Sequence, residues 1–278
     1  MIEVKYESSN GKTFDLIGDR FKVSQGSLHS YKWKASKSSL KNGDKVYGFN
    51  KESLVYTMTI NIRGKLQDKY RILNEFRNAC ERDVVTASPG RIVFGDYYIE
   101  CYVIESSTGI SSDNPRWAQD EVDIYCPYPF WIKDEKKELV PKSGDERSSD
   151  YLDYPYDYPY DYTASEVGVE NWFIDHYTDS NFDMIIYGPC TNPRIVVNSH
   201  VYQVNDTLAA GEYIIVKSRD KTVTKHLNNG TVQNIFNKRN KESSLFQKIP
   251  AGDNVITWTG EHGVDIIAHI ERSEPEWI

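Results

Sequence analysis

Asp153, Asp157 and Asp161 recur at a spacing of four. On a helix that spacing stacks carboxylates on one face and would build a ladder for a cation. Pro155 and Pro159 fall between them and exclude an uninterrupted helix. In an extended chain near three residues per turn the carboxylates do not converge, so they read as a solvated acidic rim. The histidines, His29, His176, His200, His226, His262 and His269, form neither HxH nor HExxH. Cys80, Cys101, Cys126 and Cys190 form no CxxC pair, which points to free, mostly buried thiols. There is no GxSxG, no GxxxxGK[ST] and no GxGxxG after a strand. Paired-carboxylate chemistry is neither supported nor excluded by the 41 Asp and Glu. The expectation is a protein that is not an enzyme, with no metal and no cofactor. Trp172, Trp258 and Trp277 are the rings that would stack sugars if exposed on a sheet, and the same residues serve as core or interface filler.

Residue types of this kind must be carried by a scaffold, and composition bounds it. The chain has 278 residues, enough for about two domains. It is 39% hydrophobic and carries 20 Tyr against 3 Met, a bias toward strands. A net charge of −8 argues against gripping nucleic-acid phosphates or a polybasic attachment to membranes. No apolar run reaches the roughly 18–20 residues of a membrane helix, so no membrane insertion is expected. The start, Met1-Ile2-Glu3-Val4-Lys5-Tyr6, lacks a signal-peptide pattern, and synthesis in a cytoplasm is expected.

Charge divides the chain. Residues 1–133 carry 19 Lys/Arg and 17 Asp/Glu, whereas residues 134–278 carry 14 and 24, a net of −10. The stretch 134–163 alone holds 9 acidic and 4 basic residues among Ser, Gly and Pro, the composition of a linker or long loop. Three parts are expected: a domain over 1–133, an acidic Tyr/Pro-rich linker over 134–163 and a domain over 164–278. In the first, residues 54–62 alternate as a strand. Leu66, Tyr70, Leu73, Phe76 and Cys80 then share one face of a helix spanning about 65–82, and Gly95-Asp96 marks a hairpin. In the last, short strands with turns such as Ser199-His200 and Asn229-Gly230 predict an antiparallel sandwich. The fold class is mainly β, with one α-helix in the N-terminal domain. Within the linker, Tyr154, Tyr156, Tyr158, Tyr160 and Tyr162 form an extended ribbon suited to contacts between domains or subunits.

Three stretches together resemble the distal tail protein family of siphophages (Dit-like), chiefly those of Gram-positive hosts. The first is the N-terminal order of strands, one helix and the Gly95-Asp96 hairpin leading into Tyr98-Ile99-Glu100-Cys101-Tyr102-Val103. The second is Cys126-Pro127-Tyr128-Pro129-Phe130-Trp131 followed by the Tyr-Pro-Tyr-Asp ribbon. The third begins at Gly188-Pro189-Cys190-Thr191-Asn192-Pro193 and runs through Gly211-Glu212-Tyr213-Ile214-Ile215-Val216 to Ile249-Pro250-Ala251-Gly252-Asp253-Asn254. Val216-Lys217-Ser218 departs from the pattern, since relatives often carry an Asp there.

The resemblance implies a structural adaptor in the virion, at the tip of a phage tail. Six copies form a homohexameric ring built by the N-terminal domain, and the second domain is a galectin-like or carbohydrate-module-like sandwich. The ring joins the tail tube protein to the hub or lysin protein of the baseplate. Tape measure and receptor-binding proteins are further partners, and DNA passes the lumen without specific binding. The charge balance of residues 1–133 further suggests that an N-terminal β-hairpin and the helix face, with Leu66, Tyr70 and Leu73, make the ring, and the five ribbon tyrosines are the other expected interface residues. The alternative is a carbohydrate-binding module for host-surface attachment, with Trp172 and Trp258 as the stacking rings. A contractile or bacteriocin-like particle remains open as the setting.

Overall fold

The computed structural model describes residues 3–26, 28–64, 66–109, 117–141 and 168–276. The chain divides into two compact units, Met1–Lys133 with Glu271–Ile278, and Asp134–Ile270. Both are β-rich and antiparallel, and one α-helix occurs among the described residues.

In the first unit, β1 (Val4–Glu7), β2 (Thr13–Asp15) and β3 (Phe21–Gly26) precede a hairpin of β4 (Lys34–Leu40) and β5 (Gly43–Asn50). Then come β6 (Leu54–Arg63), α1 (Leu66–Val85), β7 (Gly90–Phe94), β8 (Tyr97–Gly109), β9 (Trp117–Cys126) and the start of β10 (Trp131–Leu139), whose residues from Asp134 on belong to the second unit. Strands pair in the orders β3-β6-β9-β8 and β8-β7-β1-β2. The period-2 pattern of β6 buries Tyr56, Met58, Ile60 and Ile62 on one face. Against this core α1 lays Ile72, Leu73, Phe76, Ala79 and Cys80. Phe76 sits edge-on to Phe14 at 5.3 Å and to Tyr6 at 5.7 Å between ring centroids.

The C-terminal turn of α1 is tied down by a buried carboxylate. Asp83 accepts hydrogen bonds from Tyr6 Oη at 2.6 Å, Ser8 Oγ at 2.8 Å, Ser9 Oγ at 2.6 Å and Ser9 N at 3.1 Å. Gly90 closes over this cluster, where a Cβ would lie 2.6 Å from Tyr6 Oη and 2.8 Å from Asp83 Oδ2. The helix therefore reaches Val85, beyond the end expected near 82.

The second unit opens with β11 (Gly168–Ile174), β12 (Asn181–Tyr187), β13 (Cys190–Thr191), β14 (Arg194–Val197) and β15 (His200–Gln203). It continues with β16 (Thr207–Leu208), β17 (Tyr213–Lys217), β18 (Thr222–His226) and β19 (Val232–Asn234), and a 3-10 turn over Phe236–Lys238. β20 (Gly252–Trp258) and β21 (Val264–Arg272) end it. One sheet runs β19-β18-β17-β12-β21-β10 and the other β11-β20-β14-β15. Phe182, Met184, Ile214, Val264 and Ile266 from the first sheet share one core with Trp172, Ile195, Tyr202, Ile256 and Trp258 from the second.

Two expectations need correction. The stretch read as linker from residue 134 begins as strand, because β10 continues to Leu139. Its charges alternate sides of the strand, and Lys136 reaches Asp265 at 2.9 Å while Lys137 reaches Glu170 at 3.1 Å. The turn read at Ser199-His200 lies one residue earlier. Val197 pairs with His200, and Asn198 and Ser199 take φ of 50° and 82°, as a two-residue hairpin loop requires. The remaining linker, 142–163, with Tyr154, Tyr156, Tyr158, Tyr160 and Tyr162, lies outside the described residues.

Candidate interaction surfaces

The β4–β5 hairpin has the character of a contact element. Its two strands pair only with each other among the described residues, and nearly every position is exposed. A two-stranded ribbon is marginal in water on its own. This one nevertheless displays Leu40, Tyr47 and Phe49 at 59%, 67% and 64% exposure. Tyr47 and Phe49 are two apart in β5 and share a face. They leave apolar surface of the first unit open to solvent.

The base of the hairpin is fixed by a cation in an aromatic enclosure. Lys51 Nζ lies 4.3 Å from the Phe130 ring centroid, 5.1 Å from Trp33 and 5.6 Å from Tyr31. It also donates to the Pro129 carbonyl at 3.1 Å. Burial pulls the Lys51 amine down to about 8, with Glu274 opposing. The arm is thus anchored at its root and open along its length.

The three helix residues expected at an interface differ in exposure. Leu73 is buried in the unit's own core, and Tyr70, at 38%, is the exposed one. The Leu66 side chain lies outside the described residues. Of the stripe that the helical spacing picked out, Leu73, Phe76 and Cys80 pack into the core of the first unit. Trp172 and Trp258 are 9% and 3% exposed and belong to the core of the second unit. A Cβ on Gly168 would lie 2.7 Å from the Trp258 ring, so backbone covers that ring. Neither indole presents a face on which a sugar would stack, and Trp277 lies outside the described residues.

Titratable groups are arranged for structure. Burial pushes the Cys80 and Cys126 thiols up to about 12 and the Cys190 thiol to about 11, so these sulfurs stay protonated and poorly nucleophilic. Burial of His269 pulls its pKa down. Asp134 at 2.7 Å and Asp183 at 3.4 Å more than reverse that and raise it to about 9. This imidazolium ties β10, β12 and β21 together. Among the described residues no three His, Cys, Asp or Glu converge to hold a metal. A cavity of about 550 Å³ lies beside β1 and β8. Its charges are spent internally, because Arg91 pairs with Glu7 at 2.6 Å and stacks on Tyr98. No described helix is long and apolar enough to cross a membrane.

This fold, two β-rich units with one described helix in the first and a sandwich in the second, is similar over its whole length to solved chains of phage tails. The Dit protein of phage SPP1, a hub adsorption protein of phages infecting Gram-positive hosts, matches with a TM-score of 0.61 at 12% identity. That match covers 98% of this chain and 99% of the other. A chain of the phage P2 baseplate in its activated conformation with calcium matches with a TM-score of 0.67 at 11% identity, over 99% and 100% of the two chains. The same baseplate with strontium gives 0.67 at 10% identity and the same coverage. No protein-family model matches the sequence, and no curated protein is similar to it by sequence. The likeness is one of fold, carried over whole chains at 10–12% sequence identity.

Proposed function

We propose that this chain is a structural adaptor at the distal end of a phage tail. Six copies close a ring that joins the tail tube to the hub or baseplate and its receptor-binding apparatus. The observation that carries the reading is the full-length fold match to phage hub and baseplate chains, which spans both units. Each copy in a ring needs a surface that a neighbour completes, because cyclic closure uses heterologous contacts. The exposed β4–β5 arm, with Leu40, Tyr47 and Phe49, is the surface we assign to that contact. The near-neutral balance of residues 1–133 lets first units meet without strong repulsion, and the acidic excess lies beyond them. The ribbon tyrosines 154–162 are assigned to contacts with neighbouring copies or baseplate proteins. The protonated thiols and internally paired charges fit a role without turnover.

Size exclusion with light scattering, followed by negative-stain imaging of the same peak, tests this. The expected result is a mass about six times the 32.1 kDa chain, with ring-shaped particles, alone or with the tube and hub proteins present. A chain that stays at 32.1 kDa with both neighbours present refutes the proposal.

A further inference from the structure

The second unit contains a concavity that runs against the charge of its surroundings. Residues 134–278 have a net charge of −10, yet a cavity of about 650 Å³ there is lined by Lys221, Arg239 and Lys241 and by no carboxylate. Nearby cations are neutralised. Lys238 pairs with Asp206 at 2.9 Å and Lys225 with Glu212 at 3.0 Å. Lys221 and Lys241 enter no ion pair among the described residues.

Arg239 is held ready. Its guanidinium lies 3.8 Å over the Phe236 ring centroid, and Phe236 stacks on Phe246 at 5.9 Å. One of its N–H groups donates to the Phe236 carbonyl at 2.9 Å. Four of the five guanidinium N–H donors then lack a partner among the described residues. The loop that walls the cavity is also preformed. Asn240 N donates to the Gln203 carbonyl at 3.0 Å, and Asn240 Oδ1 accepts from Glu242 N at 3.0 Å. Ser243 Oγ donates to the Val201 carbonyl at 2.6 Å. The Asn240 amide N–H groups and the Ser244 hydroxyl remain as neutral donors on the same wall.

We infer that this cavity is a binding site for a phosphate-bearing polyol chain. A fixed guanidinium beside two unpaired ammonium groups selects phosphate or a like anion. The amide and hydroxyl donors suit the hydroxyls between successive phosphates. The volume exceeds what a single free phosphate fills, which favours an oligomer. The inference goes beyond the adaptor reading and does not depend on it, because ring formation is measured separately.

The test is calorimetric titration of the full chain with a synthetic glycerol-phosphate oligomer, inorganic phosphate and a neutral dextran oligomer. The oligomer is expected to bind, and raising salt from about 50 to about 200 mM should weaken it severalfold. Lys221→Gln with Lys241→Gln alters exposed side chains only and should weaken binding about tenfold. Arg239→Lys keeps the charge but loses the stacked fork, and should also weaken binding. An oligomer that does not bind overturns the inference. So does equal binding of neutral dextran, inorganic phosphate binding as tightly as the oligomer, or a double variant that binds like the parent.

Discussion

The buried carboxylate at the end of α1 offers the sharpest test of how the first unit holds together. Asp83 has no solvent exposure and takes four hydrogen bonds, three from side chains 74 to 77 residues away in the chain. Asp83→Asn keeps the shape but replaces one acceptor oxygen with a donor. Ser9 is exposed, so water replaces its lost bonds. Tyr6 and Ser8 are buried at 1% and 5% and have no such recourse. Burial, followed by the nearby Cys80 and Asp83 groups, pushes the Tyr6 phenol far up, so it stays a donor. Two buried donors losing a charged acceptor at about 1.5 kcal/mol each gives about 3 kcal/mol. For a unit of this size that lowers the unfolding midpoint by about 10 °C. Urea and thermal unfolding should show the loss in the transition of the first unit and leave that of the second unmoved, since the two have separate cores. Tyr6→Phe alone should cost about 1 kcal/mol, and the double variant should cost less than the sum because both changes remove the same bond. An Asp83→Asn protein within about 0.5 kcal/mol of the parent would refute the reasoning.

His269 predicts a pH dependence in the second unit. Its folded pKa of about 9 stands above the ordinary 6.5, so its contribution is complete below about 6.5 and fades as pH rises through about 9. Up to about 3 kcal/mol should be lost across that window, and His269→Gln should flatten the profile in chemical denaturation. Gly168→Val drives a Cβ into the Trp258 ring and should cost about 1–3 kcal/mol, read as a lower midpoint for the second unit with altered indole fluorescence. Tyr47→Glu with Phe49→Glu changes an exposed face and should move stability by less than about 0.5 kcal/mol per site. The same pair should abolish the ring in light scattering; rings of unchanged mass would remove the hairpin from the interface.

Where sequence pattern and tertiary demand agree, the elements are legible. The alternation of residues 54–62 and the four-three-three-four spacing of the α1 stripe name β6 and the helix, because one face of each is buried in a single core. The end of the helix is not legible, since Asp83 is held by Tyr6, Ser8 and Ser9 from the far end of the chain. Nor is the start of the linker. Asp134 to Glu138 read as a solvated charge run, and only the partners Asp265, Glu170 and His269 turn those charges into strand contacts. The tryptophans fail for a related reason: sequence marks a ring able to stack but not which side of a strand it takes, and Trp258 turns inward against Gly168.

The hairpin shows the converse. Its strand β4, Lys34–Leu40, holds three serines and two lysines and gives no core signal. The sign that was present is local. Lys41 and Asn42 form the two-residue loop between paired Leu40 and Gly43, and Gly43 takes a φ of 94°. An element with a clear turn, polar strands and unburied Tyr47 and Phe49 is one whose folding partner is not its own core. The segment least visible to a search for buried pattern thus carries exposed Tyr47 and Phe49, and the ring contact we propose is sought there and at exposed Tyr70 ahead of Leu73, which the core of the first unit already holds.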